Sequence, residues 1–202
     1  MVEKSVVPYR TQHLKRVPSH EIAKKAAAVE YLTEQEYTSL MIAASNYPEH
    51  KLLLRLLWET GLRISEALSL KYTDIYPDGI NVRHGKNDKQ RMVPCQPSLI
   101  GTLQRHSDSE KNESGKVFNK ITTEPGALYM MRRYAKHAGI NKRLHPHLFR
   151  HSFAINFIKQ TGNPFALQDI GGWSDMETIK IYMRLASEMP REAMQRMQFP
   201  SV

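Results

Sequence analysis

The chain has 202 residues, 29 Lys and Arg against 20 Asp and Glu, a formal charge of +9 and 41% hydrophobic residues. That fits one large domain, or a domain with an appendage, and argues against global disorder. The single cysteine, Cys95, excludes a disulfide scaffold and a multi-cysteine zinc site and fits a reducing cytoplasm. No apolar run approaches the roughly 18 residues of a spanning helix, and no apolar signal core opens the chain. The excess positive charge points, weakly, to a polyanionic partner.

Residues 1–31 are polar and basic, with Pro8 and Pro18, and predict an arm or linker ending in a short helix over about 19–31. Thr33-Glu34-Gln35-Glu36 matches a capping box, and the helix it opens places Tyr37, Leu40, Met41 and Ala44 on one face. Pro48 suits a first helical turn, Leu52, Leu53, Leu56 and Leu57 form the stripe that follows, and Gly61 stops it. A short helix follows over Arg63–Leu70. Ile80-Asn81-Val82 and Met92-Val93 flank a polar turn, a hairpin signal. Residues 105–116 predict a polar loop. Helices are expected over about 125–138, 147–160 (stopped at Gly162), 164–170 and 176–185. The last opens with the capping box Ser174-Asp175-Met176-Glu177, and a tail helix is expected over 187–197. The predicted class is mainly α with a small antiparallel β-sheet (α+β), without internal repeats.

Four separated patches carry candidate chemistry. Arg63 follows a helix-stopping glycine, with Glu66 on its helical face; taken alone, this is an ordinary surface ion pair. His84-Gly85-Lys86-Asn87-Asp88-Lys89-Gln90-Arg91 sets cations on a hairpin turn, where lysines are usually just solvated. In His145-Pro146-His147-Leu148-Phe149-Arg150-His151, His147 and Arg150 share a face near a helix N-terminus, which favours anions, and arginine matches phosphate geometry. A metal on His147 and His151 is disfavoured by the adjacent Arg150 and by the lack of an intervening Glu. Trp173 and Tyr182, in Gly171-Gly172-Trp173-Ser174-Asp175-Met176-Glu177-Thr178-Ile179-Lys180-Ile181-Tyr182, would singly be unremarkable core aromatics.

Together, "TGLRISEALSL", "GKNDKQRMVP", "HPHLFRHSFA" and "GGWSDMETIKIYMRL" resemble the catalytic domain of the tyrosine recombinases, the phage-integrase family, over roughly residues 33–190. The resemblance implies Tyr182 as nucleophile, Arg63 and Arg150 as phosphate-clamping arginines, Lys86 as the hairpin lysine, His147 as the histidine of the third patch, and Glu66 as the acidic residue that steadies Arg63. Trp173 stands where most members have histidine; indole donates a hydrogen bond but accepts no proton, so this position does no acid–base work. The implied domains are a basic arm over 1–31 and a catalytic domain over 32–202 with a C-terminal tail. The usual N-terminal helical domain is missing, as in a fragment or a naturally short recombinase.

The implied chemistry is DNA strand cleavage and rejoining through a 3′-phosphotyrosine, independent of metal, ATP or any other cofactor. His147 or the phosphate itself takes the phenol proton, and Lys86 protonates the departing 5′ oxygen, with Lys89 three residues away as the rival. Lys89, Arg91, Arg132, Arg133, Lys142 and Arg143, with Lys136, are candidate contacts to double-stranded DNA; for the five between 132 and 143, a solvated helix face is the equal alternative. His145 and His151 are expected to be structural or DNA-contacting, without a catalytic role. Self-association on DNA as a dimer or tetramer is expected through the tail, where Met189, Met194 and Met197 either dock on a neighbour or cover their own core. A non-catalytic DNA-binding relative and a type IB topoisomerase-like relaxing enzyme are the alternatives, and no membrane partner is expected.

Overall fold

Thr33 opens the helical body as its sequence predicts. Its hydroxyl accepts from the Glu36 amide at 3.2 Å while the Glu36 carboxylate accepts from the Thr33 amide at 2.8 Å, so two otherwise orphaned first-turn donors are satisfied reciprocally. The computed structural model describes residues 19–83, 90–109 and 115–187. They form nine α-helices: α1 (Ser19–Ala27), α2 (Glu34–Ala43), α3 (Pro48–Thr60), α4 (Ile64–Ser69), α5 (Pro97–Ser109), α6 (Glu124–His137), α7 (Pro146–Thr161), α8 (Pro164–Gly171) and α9 (Met176–Ala186), with a 3-10 turn over Tyr72–Asp74. Strands β1 (Ile75–Tyr76), β2 (Gly79–Val82) and β3 (Arg91–Pro94) form an antiparallel sheet in the order β1-β2-β3, with Ile80 opposite both Ile75 and Val93, and Val82 opposite Arg91. None of the described helices is long and apolar enough to cross a membrane.

Three expectations are corrected. The predicted loop over 105–116 begins inside α5, because Leu99, Ile100 and Leu103 form a buried helical stripe and the polar residues after them continue the same helix. The cap of α9 is Asp175, not Ser174: the Asp175 carboxylate accepts from the Glu177 amide at 2.8 Å. Strand β1 was not expected, since two residues carry no periodicity. The tail helix over 187–197 lies, apart from Ser187, outside the described residues.

Helix α7 organises the interior. Leu148 and Phe149 join the larger core, built from α2 to α6 and the sheet, while Phe153, Ala154, Ile155 and Ile158 belong to a second core with Leu167 of α8 and Ile179 and Tyr182 of α9. The buried residues of α7, Leu148 to Arg150, Ser152 to Ile155 and Ile158, run round most of the helix, and α3, α8 and α9 pack on it. Ser152, fully buried in it, donates to the Leu148 carbonyl and accepts from the Leu32 amide, both at 2.7 Å. Helix α1 packs on α9, so the later part of the predicted arm lies against the helix bearing Tyr182.

Candidate active site

Gly61 makes the first approach of the site possible. It ends α3 at φ +62°, a left-handed conformation that glycine takes without strain. A Cβ there would also lie 2.4 Å from the Phe153 ring. The turn delivers Arg63 to the cap of α4, where its Nη1 donates to Glu66 Oε1 at 2.8 Å and its backbone amide to Oε2 at 2.8 Å. The Arg63 side chain stays partly open while Glu66 is buried. Burial alone would raise the Glu66 pKa, but hydrogen bonds and charge from Arg91 and Arg63 leave it lowered, so Glu66 remains a carboxylate.

Arg150 comes from the second turn of α7 and is 5% exposed. Its Nη1 donates to the Gly61 carbonyl and its Nη2 to the Gly171 carbonyl, each at 2.7 Å. Its Cζ lies 3.9 Å from the Trp173 ring centroid, a cation–π contact. Gly171 is required for that stacking, because a Cβ there would fall 1.7 Å from a Trp173 ring carbon. Burial first, then the charge of Arg63, pulls the Arg150 pKa down to about 10, so the guanidinium stays charged at neutral pH. Among the described residues no carboxylate forms an ion pair with it. A buried cation held by carbonyl dipoles and an indole face is suited to receive an anion.

Beside this cation opens a cavity of about 210 Å³ lined by Leu62, Arg63, Ile64, Ser65, Glu124, Pro146, His147 and Arg150. It brings together Arg63, His147 and Arg150, with His147 exposed in the first turn of α7, its ring 6.2 Å from that of His145. A larger cavity, about 700 Å³, lies elsewhere, among Tyr37, Trp58, Cys95, Phe153 and Phe157. It holds none of the expected site residues, and Glu34 and Glu59 on its wall disfavour an anion. Among the described residues no group of three or more His, Cys, Asp or Glu could hold a metal ion.

Tyr182 stands one ring away from the cavity. It is 3% exposed and meets Trp173 edge-on at 5.7 Å, and its hydroxyl is 2.8 Å from His151 Nδ1. Burial raises the phenol pKa, with Arg150 pulling the other way. Burial, then the charges of His147, His145 and Arg150, lowers His151 to about 4. At neutral pH the pair is therefore a neutral phenol and a neutral imidazole.

His151, expected to be structural or DNA-contacting, is thus the direct partner of Tyr182; its position beside Arg150 is the only sequence signal for this. Arg91, expected on DNA, is instead turned inward with its side chain 12% exposed, donating to both Glu66 oxygens at 2.9 and 3.0 Å and to the Ile170 carbonyl at 2.9 Å. Lys142 likewise bonds inward, to the Tyr31 carbonyl at 2.8 Å and Glu36 at 2.7 Å. Arg132, Arg133, Lys136 and Arg143 are exposed, and Arg132, Lys136, Lys142 and Arg143 edge a concavity of about 330 Å³. Lys86 and Lys89 fall outside the described residues, as do Met189, Met194 and Met197.

Known proteins share this arrangement of chain. A tyrosine recombinase of Thermosipho africanus is 32% identical over 177 residues, covering 83% of this chain and 62% of that protein. The crystal structure of XerA recombinase superposes with a TM-score of 0.73 at 30% identity, over 85% of this chain and 66% of that one. The catalytic domain of bacteriophage HP1 integrase gives 0.65 at 26% identity, over 83% and 95%. The chain thus spans about three-fifths of the curated relatives it matches. The match to the family itself runs over residues 30–189, from the linker before α2 past the end of α9, and so takes in the whole of the site; the chain belongs to the phage integrase family.

Proposed function

We propose that this chain is the catalytic part of a site-specific DNA recombinase, residues 32–202 carrying the chemistry, which cleaves and rejoins strands through a 3′-phosphotyrosine. The observation that carries the reading is the buried Arg150 guanidinium, with no carboxylate partner among the described residues, facing one small cavity together with Arg63 and His147, with a tyrosine one aromatic ring away. The recombinase names of relatives at about 30% identity support it.

In this reading the scissile phosphate occupies the cavity. Arg63 and Arg150 bear on its non-bridging oxygens, where negative charge grows as the phosphorus becomes five-coordinate; because both are held in place beforehand, they favour the transition state over the ground state. Glu66 holds Arg63 in that pose. The Tyr182 oxygen attacks phosphorus and the P–O5′ bond breaks. The phenol proton passes to His147, and the O5′ leaving group takes a proton from the hairpin lysine, Lys86. Trp173 shields the ion pair from water and keeps Arg150 flat. Tyr182 must leave His151 to reach the cavity, so the closed phenol–imidazole pair is the resting state. Phosphate-bond energy is kept in the new ester, and a second 5′-hydroxyl reverses the step on another strand without ATP.

Duplex DNA follows as the partner, with Arg132, Arg133, Lys136 and Arg143 on its backbone phosphates and a second copy engaged through the C-terminal tail. The test is a nicked duplex that traps the covalent complex, followed by trypsin. The expected product is the DNA-linked peptide Ile181-Tyr182-Met183-Arg184, released by cleavage after Lys180 and Arg184. Linkage through a serine or through another tyrosine contradicts the assignment, and relaxation of supercoils on DNA of any sequence favours a topoisomerase.

A further inference from the structure

Arg91 leaves β3 at the base of the hairpin and grips two separate elements with one planar group. Its Nη1 and Nη2 donate to Oε1 and Oε2 of Glu66, and its Nε donates to the Ile170 carbonyl near the end of α8. On the Glu66 side, the oxygen that takes Arg91 Nη1 also takes Arg63 Nη1. On the α8 side, the next carbonyl, that of Gly171, takes Arg150 Nη2. The Gly172 backbone lies so close beyond it that a Cβ there would sit 3.2 Å from the Arg91 Cζ. Arg63 and Arg150 come from distant parts of the chain, and Arg91 touches the immediate support of both. It does not line the phosphate-sized cavity, and its donor edges face Glu66 and Ile170.

Resting on the recombinase reading above, we infer that Arg91 is a positioning residue: it sets the distance between the two phosphate-holding guanidiniums by tying Glu66, which steadies Arg63, to the Ile170–Gly172 turn, which steadies Arg150 and Trp173. Lysine cannot do this. One ammonium does not span a carboxylate and a carbonyl with a rigid fork. Without the tie, each guanidinium keeps its nearest partner but loses its registration against the other. Misplacement of about 1 Å in a charge-stabilising group costs up to about 100-fold in rate.

A residue that only stabilises the fold would slow every substrate equally, through the unfolded fraction. A residue that sets the spacing of two guanidiniums matters where two charged non-bridging oxygens must be held at once, and a methylphosphonate keeps only one. The experiment therefore compares Arg91→Met and Arg91→Lys with the unchanged chain on two nicked duplexes at saturating DNA. One carries the ordinary phosphodiester at the cleavage point; the other carries a neutral methylphosphonate. Expected are unchanged DNA affinity, adduct formation slowed about 10- to 100-fold on the phosphodiester by both variants, and a defect of less than about 3-fold on the methylphosphonate. Equal defects on both substrates, full activity in Arg91→Lys, or weaker affinity with an unchanged adduct rate each overturn the inference.

Trp173 emission, read in a Trp58→Phe background without DNA, separates this inference from the recombinase reading. Arg91→Met is expected to move the emission to the red as the turn is released and the indole leaves Arg150; unchanged emission overturns the positioning role whether or not any adduct forms. Absence of adduct from the unchanged chain on both duplexes counts against the recombinase reading, and the emission shift then stands as the readout for Arg91.

Discussion

Arg150 shows how one side chain is prepared for a charged partner. Its charge lies under the Trp173 ring, and its two terminal nitrogens are fixed by carbonyls from opposite sides of the site. In the proposed reaction no reorganisation remains for it at the moment of attack. His151 is tuned in the opposite direction, its pKa lowered to about 4 by burial first and then by the electrostatic influence of its neighbours, among them Arg150. Between the ordinary histidine range near 6.5 and about 4, the unfolded chain binds a proton that the folded chain refuses. His151 therefore contributes stability above about pH 6.5 that is lost as the pH falls toward 4. Thermal unfolding followed from pH 7 to 4 should show a steeper loss for the natural chain than for His151→Gln; parallel curves would contradict this. Of the residues in the site, Arg63, Glu66, His147, Arg150, Trp173 and Tyr182 stand in recognisable patches of sequence. The parts played by Arg91 and His151 were not legible, because they depend on contacts with residues 25, 79 and 31 positions away.

At the level of elements, caps and stops were the clearest signals, since they act within one turn. The Thr33 box, Pro48 at the start of α3, and Gly61 and Gly162 after α3 and α7 all lie where local chemistry puts them. Helix α5 was obscured because its buried stripe is short and its last turns are polar. A longer-range cap escaped the sequence reading altogether. Glu49, in the first turn of α3, is 3% exposed, and its Oε1 accepts from the amides of Asn119, Lys120 and Ile121 at 3.1, 2.7 and 3.0 Å. It anchors the segment entering α6, and with it the Glu124 end of the cavity. Glu49→Ala removes the acceptor shared by three amides and should lower unfolding stability by roughly 3–5 kcal/mol. Denaturant titration measures it, and a loss below about 1 kcal/mol would show that the segment finds other acceptors.

Across the whole molecule, the site is assembled where the two cores meet. Arg63 and Glu66 come from the larger body, Tyr182 belongs to the smaller one, and α7, which runs through both, carries His147, Arg150 and His151. Shifts of α8 and α9 against the larger body thus bear directly on the separation of Tyr182 from the cavity. The sequence marks residues 1–31 as a basic arm, yet its later part is tied into this assembly: α1 lies on α9, and Tyr31 sits between Lys142 and Lys159, each 5.9 Å from its ring. Composition could not show this, because the arm's polar residues hide the few apolar ones that dock. The most direct test of phenol attack on a phosphate held by two guanidiniums is adduct formation by Tyr182→Phe on a nicked suicide duplex, measured at a DNA concentration that saturates binding. The account predicts no covalent complex and undiminished affinity; a covalent complex formed at the natural chain's rate would contradict it.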